Sequence, residues 1–178
     1  MISKKMEEAL NLQINKEMYS AYLYMAMSAQ CAEKALNGFA NWFMVQYHEE
    51  MFHAMKIYNY ILDQGGSVKL QTIEAPKEKF SSVKGMFEKT LEHEKTVTAS
   101  IKSLVDLAKK EDDPATEIFL QWYVTEQVEE EKNAMDILQK FQILGREDGP
   151  GIFQFDAALK ERKLSVPSNF SELDELED

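Results

Sequence analysis

The sequence predicts an all-α protein: a four-helix bundle with one long crossover between its second and third helices, and a short fifth helix near the C-terminus. Three observations carry this. Seven glycines and four prolines in 178 residues are few, and they cluster, leaving long uninterrupted segments. Four of those segments repeat their inward positions at alternating steps of four and three, the period of a helix with one buried face. All the breaks between them are short except one, Gly65 to Ser81, which spans 17 residues.

The first helix is expected from about Lys4 to Leu36, with Leu10, Ile14, Glu17, Ala21, Tyr24, Ser28 and Cys31 on one stripe and Asn37-Gly38 as its left-handed stop. The second, about Phe39 to Gln64, places Phe43, Gln46, Glu50, His53, Ile57 and Tyr60 together and ends at Gly65-Gly66. The third, Ser82 to about Lys110, aligns Phe87, Thr90, Glu94, Val97, Ile101, Leu104 and Ala108. Asp113 followed by Pro114 is an N-cap with proline at the first helical position, and it opens a fourth helix to about Leu144. Its stripe is Leu120, Tyr123, Gln127, Glu130, Ala134, Ile137 and Phe141. After the Gly149-Pro150-Gly151 break, Ile152 to about Lys163 can form the short fifth helix.

Short turns force antiparallel neighbours, so helices one and two pair, as do three and four. The long link, extended at about 3.3 Å per residue, reaches ~55 Å. A helix of about 26 residues is only ~39 Å long. The link can therefore run the length of the bundle and leave the second and third helices parallel. One domain over residues 1–165 follows, with 166–178 as a flexible tail whose acids from Glu172 to Asp178 have no basic residue to balance them.

Composition narrows the partners. Thirty-one acidic against twenty basic residues give a net charge of -11, which argues against a nucleic-acid partner and favours a cation as any charged ligand. The single cysteine, Cys31, rules out a disulfide framework or a thiolate metal site within one chain. The start, MISKKMEEAL, lacks the apolar run of an export signal, and no stretch is long and apolar enough to cross a membrane. A cytoplasmic protein is expected.

The chemically informative feature is that each apolar stripe carries polar residues near its middle: Glu17; Glu50 with His53; Glu94; Gln127 with Glu130. Glutamate is rarely buried unless it is paired or binds a metal. Glu17 to Glu50 is 33 residues, Glu94 to Gln127 is also 33, and each arrival is followed three residues later by His53 or Glu130. The two hairpins thus look like copies offset by 77 residues, related by a pseudo-twofold axis on which both polar sets converge. Four glutamates in a dry core cannot all ionise unless cations hold them. Two divalent metals sharing a bridging carboxylate resolve the repulsion. Several carboxylates, one imidazole and no thiolate suit iron or manganese, with iron leading because oxygen ligands favour its oxidation to Fe(III) by O2.

The segments NKEMYSAYLY, HEEMFHAMK, EHEK and FLQWYVTEQVEEEK resemble the prokaryotic non-haem ferritins, a likeness that covers roughly residues 4 to 163. One departure from the dinuclear bundle template is visible: its second Glu-x-x-His is here Gln127-x-x-Glu130. The resemblance implies an iron-storage protein with ferroxidase activity, oxidising Fe(II) with O2 and storing Fe(III) as mineral inside a homo-oligomeric shell of 24 subunits. It further implies that Glu17, Glu50 and His53 hold one iron, and that Glu50 as bridge, Glu94 and Glu130 hold the second, with Gln127 lining the site. A third iron site matches Glu49, Glu126 and Glu129, with Glu130 shared. Tyr24 matches the tyrosine beside the diiron centre. His93 has no partner that spacing identifies.

Rival readings fit less well. Met51 follows Glu50 where a haem-ligating methionine stands in the bacterioferritins, but those resemble the two-histidine template in the fourth helix, so no haem is expected. A rubrerythrin-like peroxidase needs a four-cysteine module. A diiron oxygenase needs a substrate cavity and a reductase. A purely structural bundle leaves the repeated ligand spacing without a cause.

Overall fold

A computed structural model describes residues 2–76, 79–145 and 149–166; the acidic tail expected beyond Val166 lies outside them. Five helices and no strand occur among the described residues: α1 (Lys4–Glu33), α2 (Asn37–Asp63), α3 (Val83–Lys110), α4 (Pro114–Leu144) and α5 (Pro150–Leu159). None is long and apolar enough to cross a membrane.

Local chemistry sets the helix starts. Ser3 caps α1 by accepting from Met6 N at 3.1 Å, and Ser82 caps α3 by accepting from Gly85 N at 3.0 Å. Asp113 caps α4, accepting from Thr116 N at 3.0 Å, with Pro114 in the first turn as its fixed φ favours. Every stripe position named above is buried except Tyr60, which is half-buried, stacks on Phe119 with ring centroids 3.8 Å apart and shares a 2.9 Å hydrogen bond with Thr116.

The α1–α2 turn corrects the expected stop. The left-handed residue is Ala35, at φ 57°, closed by Leu36 N donating to Cys31 O at 3.0 Å, whereas Asn37-Gly38 already belongs to α2. Gly38 is needed for another reason. A Cβ there would lie 1.6 Å from the Asp156 carbonyl oxygen, so only glycine lets α5 approach so closely. The fifth helix itself begins two residues earlier and ends sooner than expected, because Pro150 serves as its first-turn proline.

Asp156 on α5 supplies a cap that α2 lacks from its own N-cap residue, Leu36. Its Oδ1 accepts from Gly38 N at 2.8 Å and Phe39 N at 3.0 Å. Asp156→Ala is expected to cost about 1–2 kcal/mol, the usual loss for a helix cap, and to lower the thermal midpoint by several degrees in calorimetry. An unchanged midpoint would mean that α5 docks without stabilising α2.

The long link follows α1 along most of its length. Ser67 N donates to Glu7, Asn11 pairs with Ser67 O and Lys69 N, Asn15 donates to Thr72 O, and Phe80 N donates to Gln30. It therefore runs from the α1 N-terminus toward its C-terminus, delivering α3 parallel to α2. The core records the same topology as two apolar clusters, one at each end. One gathers Met27, Phe39, Phe43, Phe87, Ile137 and Phe141 among others, and packs α5 through Ile152 and Leu159. The other gathers Leu10, Ile14, Ile57, Ile101, Leu104 and Leu120 among others. Between them, at mid-height of all four helices, the buried side chains turn polar.

Candidate metal centre

The polar belt brings together the residues the repeat singled out. Glu17, Glu50, His53, Glu94, Gln127 and Glu130 are all at most 4% exposed, so the matched spacings converge on one interior point. Ligand atoms of Glu17, Glu50 and His53 lie within 4.8 Å of one another, and so do those of His53, Glu126 and Glu130. His53 stands between the two groups, Nδ1 3.5 Å from Glu50 Oε2 and Nε2 3.7 Å from Glu126 Oε1, beyond ordinary hydrogen-bond reach in the second case.

Glu17 and Glu130 are each held by one oxygen, and Glu94 by both. Gln13 Nε2 donates to Glu17 Oε1 at 2.8 Å, in a chain where Ser100 donates to Gln13 Oε1 and Lys16 Nζ donates to Ser100, both at 2.6 Å. Tyr24 OH donates to Glu94 Oε1, and Gln127 Nε2 donates to Glu94 Oε2 at 3.1 Å and to its carbonyl at 3.2 Å. Gln46 Nε2 donates to Glu130 Oε2 at 2.8 Å. Tyr123 OH donates to the His53 carbonyl at 2.7 Å and fixes that turn of α2. What remains unpartnered is informative: Glu17 Oε2, Glu50 Oε2 and His53 Nε2 are buried with no hydrogen-bond partner. Buried polar atoms are almost always satisfied, so three orphans at one point form a group that could hold a cation.

The electrostatics agree. Burial, and then the neighbouring Glu94 carboxylate, push Glu50 well above the usual carboxylate range. Glu94 is raised by burial against the lowering effect of the Tyr24 and Gln127 hydrogen bonds. Glu130 is pushed up to about 8, chiefly by burial and then by Glu94. Burial opposes charge on His53, but Glu126 and Glu50 outweigh it and raise the imidazole. The raised groups hold their protons more tightly than free side chains do. A cation entering the belt would replace those protons.

The acids matched to a third site share an adjoining cavity of about 670 Å³, lined by Glu49, Glu126, Glu129 and Glu130. Glu49 is buried, Glu126 half-buried and Glu129 exposed. Glu49 is already engaged by Arg162, at 2.7 Å. His93 does find a partner: Nε2 lies 2.7 Å from Ser20 Oγ, and burial depresses the imidazole to about 4, so it stays neutral beside the centre. Cys31 is buried in the apolar cluster with its thiol pushed up to about 12 by burial, and it supplies no thiolate.

Spacing assigns no role to Gln13, Gln46 or Arg162, although Gln46 lies on the inward stripe. The first two sit four residues before Glu17 and Glu50, a helical step that places an amide one turn from each acid. No comparable signal marks Arg162, which reaches α2 only because α5 folds back.

Fold and centre together define a carboxylate–imidazole four-helix bundle. The ferritin-like domain family model matches residues 7–144. A bacterial non-heme ferritin of Campylobacter jejuni is 41% identical over 165 residues, covering 93% of this chain and 98% of that protein. One of Staphylococcus aureus is 46% identical over 131 residues, covering 74% and 79%. An engineered closed form of the Archaeoglobus fulgidus ferritin superposes with a TM-score of 0.90 at 47% identity, covering 93% of this chain and all of that one (100%). An open pore ferritin from the same archaeon gives 0.88 at 48% identity, covering 91% and 98%. The chain belongs to the ferritin family.

Proposed function

We propose that this protein stores iron, oxidising Fe(II) with O2 at the buried belt and keeping Fe(III) as a mineral within a homo-oligomeric shell. The observation that carries this reading is the trio of orphaned ligand atoms on Glu17, Glu50 and His53 in a core where every other element of the repeat also converges. The family relationship and the bacterial non-heme ferritins among its relatives support it.

Two irons bind in the proposed site. Glu17, Glu50 and His53 hold one, and Glu50 as bridge, Glu94 and Glu130 hold the other. Glu49, Glu126 and Glu129, with Glu130 shared, form a third site beside them. Gln127 and Tyr24 act on Glu94: their hydrogen bonds orient its carboxylate and favour its ionised form. Gln13 orients Glu17, and Gln46 orients Glu130 and favours its ionised form, leaving one oxygen of each free to bind. Binding releases the protons that the iron-free cluster holds. Two Fe(II) then give one electron each to O2, which takes up two protons and leaves as hydrogen peroxide, and the Fe(III) products move to the shell interior and hydrolyse. The shell is proposed to contain 24 copies, to work in the cytoplasm and to bind no haem.

Size-exclusion chromatography with iron analysis tests the class: a particle of several hundred kilodaltons that takes up far more iron than two ions per chain is expected, and a small protein saturating at two would refute storage. A haem Soret band in the purified protein would refute the non-haem assignment. His53→Ala is expected to slow rapid Fe(II) oxidation about ten-fold or more in stopped-flow absorbance while the bundle stays folded. A wild-type rate would remove His53 from the site.

A further inference from the structure

The acidic cavity beside the belt is bordered on one side by Ser165 and Val166, from the segment that follows α5. That segment is strapped onto α2. The Asn41 amide donates to the carbonyls of Leu159 at 3.2 Å and Arg162 at 3.0 Å. The Arg162 guanidinium lies 4.6 Å over the Trp42 ring and donates to the Trp42 carbonyl at 3.1 Å. From that anchored position its Nη2 donates to Glu49 Oε2 at 2.7 Å and to Gln46 Oε1 at 2.5 Å. Gln46 passes the contact on, since its Nε2 donates to Glu130 Oε2. One cation thus engages, directly or through one amide, two of the four carboxylates lining the cavity.

Arginine has only donors and keeps its charge at every working pH, so it cannot serve as a ligand or leave by losing a proton. A metal entering the cavity and a fixed guanidinium compete for the same Glu49 oxygen. We propose that Arg162 is a tethered counter-cation of the third iron site. It balances Glu49 when iron is absent, is displaced from that carboxylate when iron enters, and keeps the third site weaker than the paired centre, so that iron passes through instead of resting there. The proposal rests on the function argued above, and concerns how one of its sites is tuned.

Anaerobic Fe(II) titration calorimetry on the assembled protein tests it, comparing wild type with Arg162→Gln, Arg162→Lys and Glu49→Gln. Wild type is expected to show two tight equivalents per chain and a weaker third. Arg162→Gln should tighten the third about ten-fold or more, leaving the first, which does not involve Glu130, unchanged, because the competing charge is gone. Arg162→Lys keeps a charge there and should leave the third within about three-fold of wild type. Glu49→Gln should abolish the third step in either background. Arg162→Met, which retains an apolar stem against Trp42, gives the same reading if glutamine impairs assembly. An unchanged or weakened third step on neutralising Arg162, or a lysine variant as tight as the glutamine one, would overturn the proposal. Absence of any tight equivalent in wild type would instead overturn the function it rests on.

Discussion

Glu50→Ala is expected to slow rapid Fe(II) oxidation by about ten-fold or more, and Glu50→Leu to do the same while raising the thermal midpoint of the iron-free protein. Both effects follow from one fact. Glu50 is 1% exposed, has an orphaned Oε2 and is surrounded by Glu17, Glu94 and His53. As the proposed bridge it is the one carboxylate both irons share, so its loss removes a ligand from each. In the absence of iron the same group is a buried acid among acids. A buried acid with an unsatisfied oxygen costs about 1–3 kcal/mol that an apolar side chain of similar volume does not. For a chain of this size that is a rise of several degrees. Stopped-flow absorbance checks the rate and scanning calorimetry the midpoint. A wild-type rate in the alanine variant would refute the assignment, and a fall in midpoint for the leucine variant would mean that the iron-free belt is not strained.

The second large effect is on pH. Glu130 rises to about 8 from an ordinary value of 4.5, and Glu50, Glu94 and His53 are raised as well. Between about 4.5 and 8 the folded protein holds a proton on Glu130 that the unfolded chain has lost. The stability this contributes is complete below the unfolded value and disappears as pH climbs through the folded one. Iron-free protein is therefore expected to lose thermal stability from pH 5 to pH 8, and the other raised groups act with the same sign. Fe(II) binding must expel these protons, so its affinity should climb over the same interval and level off above it. Under anaerobic conditions with Fe(II) present, the fall in midpoint should flatten or reverse. Surface repulsion from the net charge of -11 works in the same direction as the buried acids. Glu130→Gln separates the two, since it removes one buried contribution and leaves the surface charge as it is. A slope unaltered by that variant would show that the belt does not titrate as described.

Both predictions begin from a pattern that was visible in the sequence. The steps of four and three fixed which face of each helix turns inward, and Glu17, Glu94 and Glu130 are buried on those faces as expected. This was legible because burial on a helix is periodic, and an acid that falls on the period is an anomaly on sight. The turn after α1 was less legible. Asn37-Gly38 has the composition of a stop, yet the left-handed residue is Ala35, and Gly38 is required by the approach of Asp156 from the far end of the chain. A glycine needed for contact and one needed for a turn look alike in sequence. The hydrogen bonds that orient the acids fall between these cases. Gln13 lies one helical turn from the Glu17 it holds, but Gln46, one turn from Glu50, holds Glu130 on another helix, and nothing local says so.

The sequence by itself determined the helices, their pairing, the level at which the polar belt lies and the residue types gathered there, because helical period and loop length are local properties. Only the tertiary structure decided that His53 stands between two acidic groups, that three ligand atoms are left without partners, and that Arg162 reaches Glu49 from over a hundred positions away. Those depend on how α5 folds back across α2 and on the balance of charges from four helices at one point, and no spacing along a single chain encodes a distance between side chains that remote.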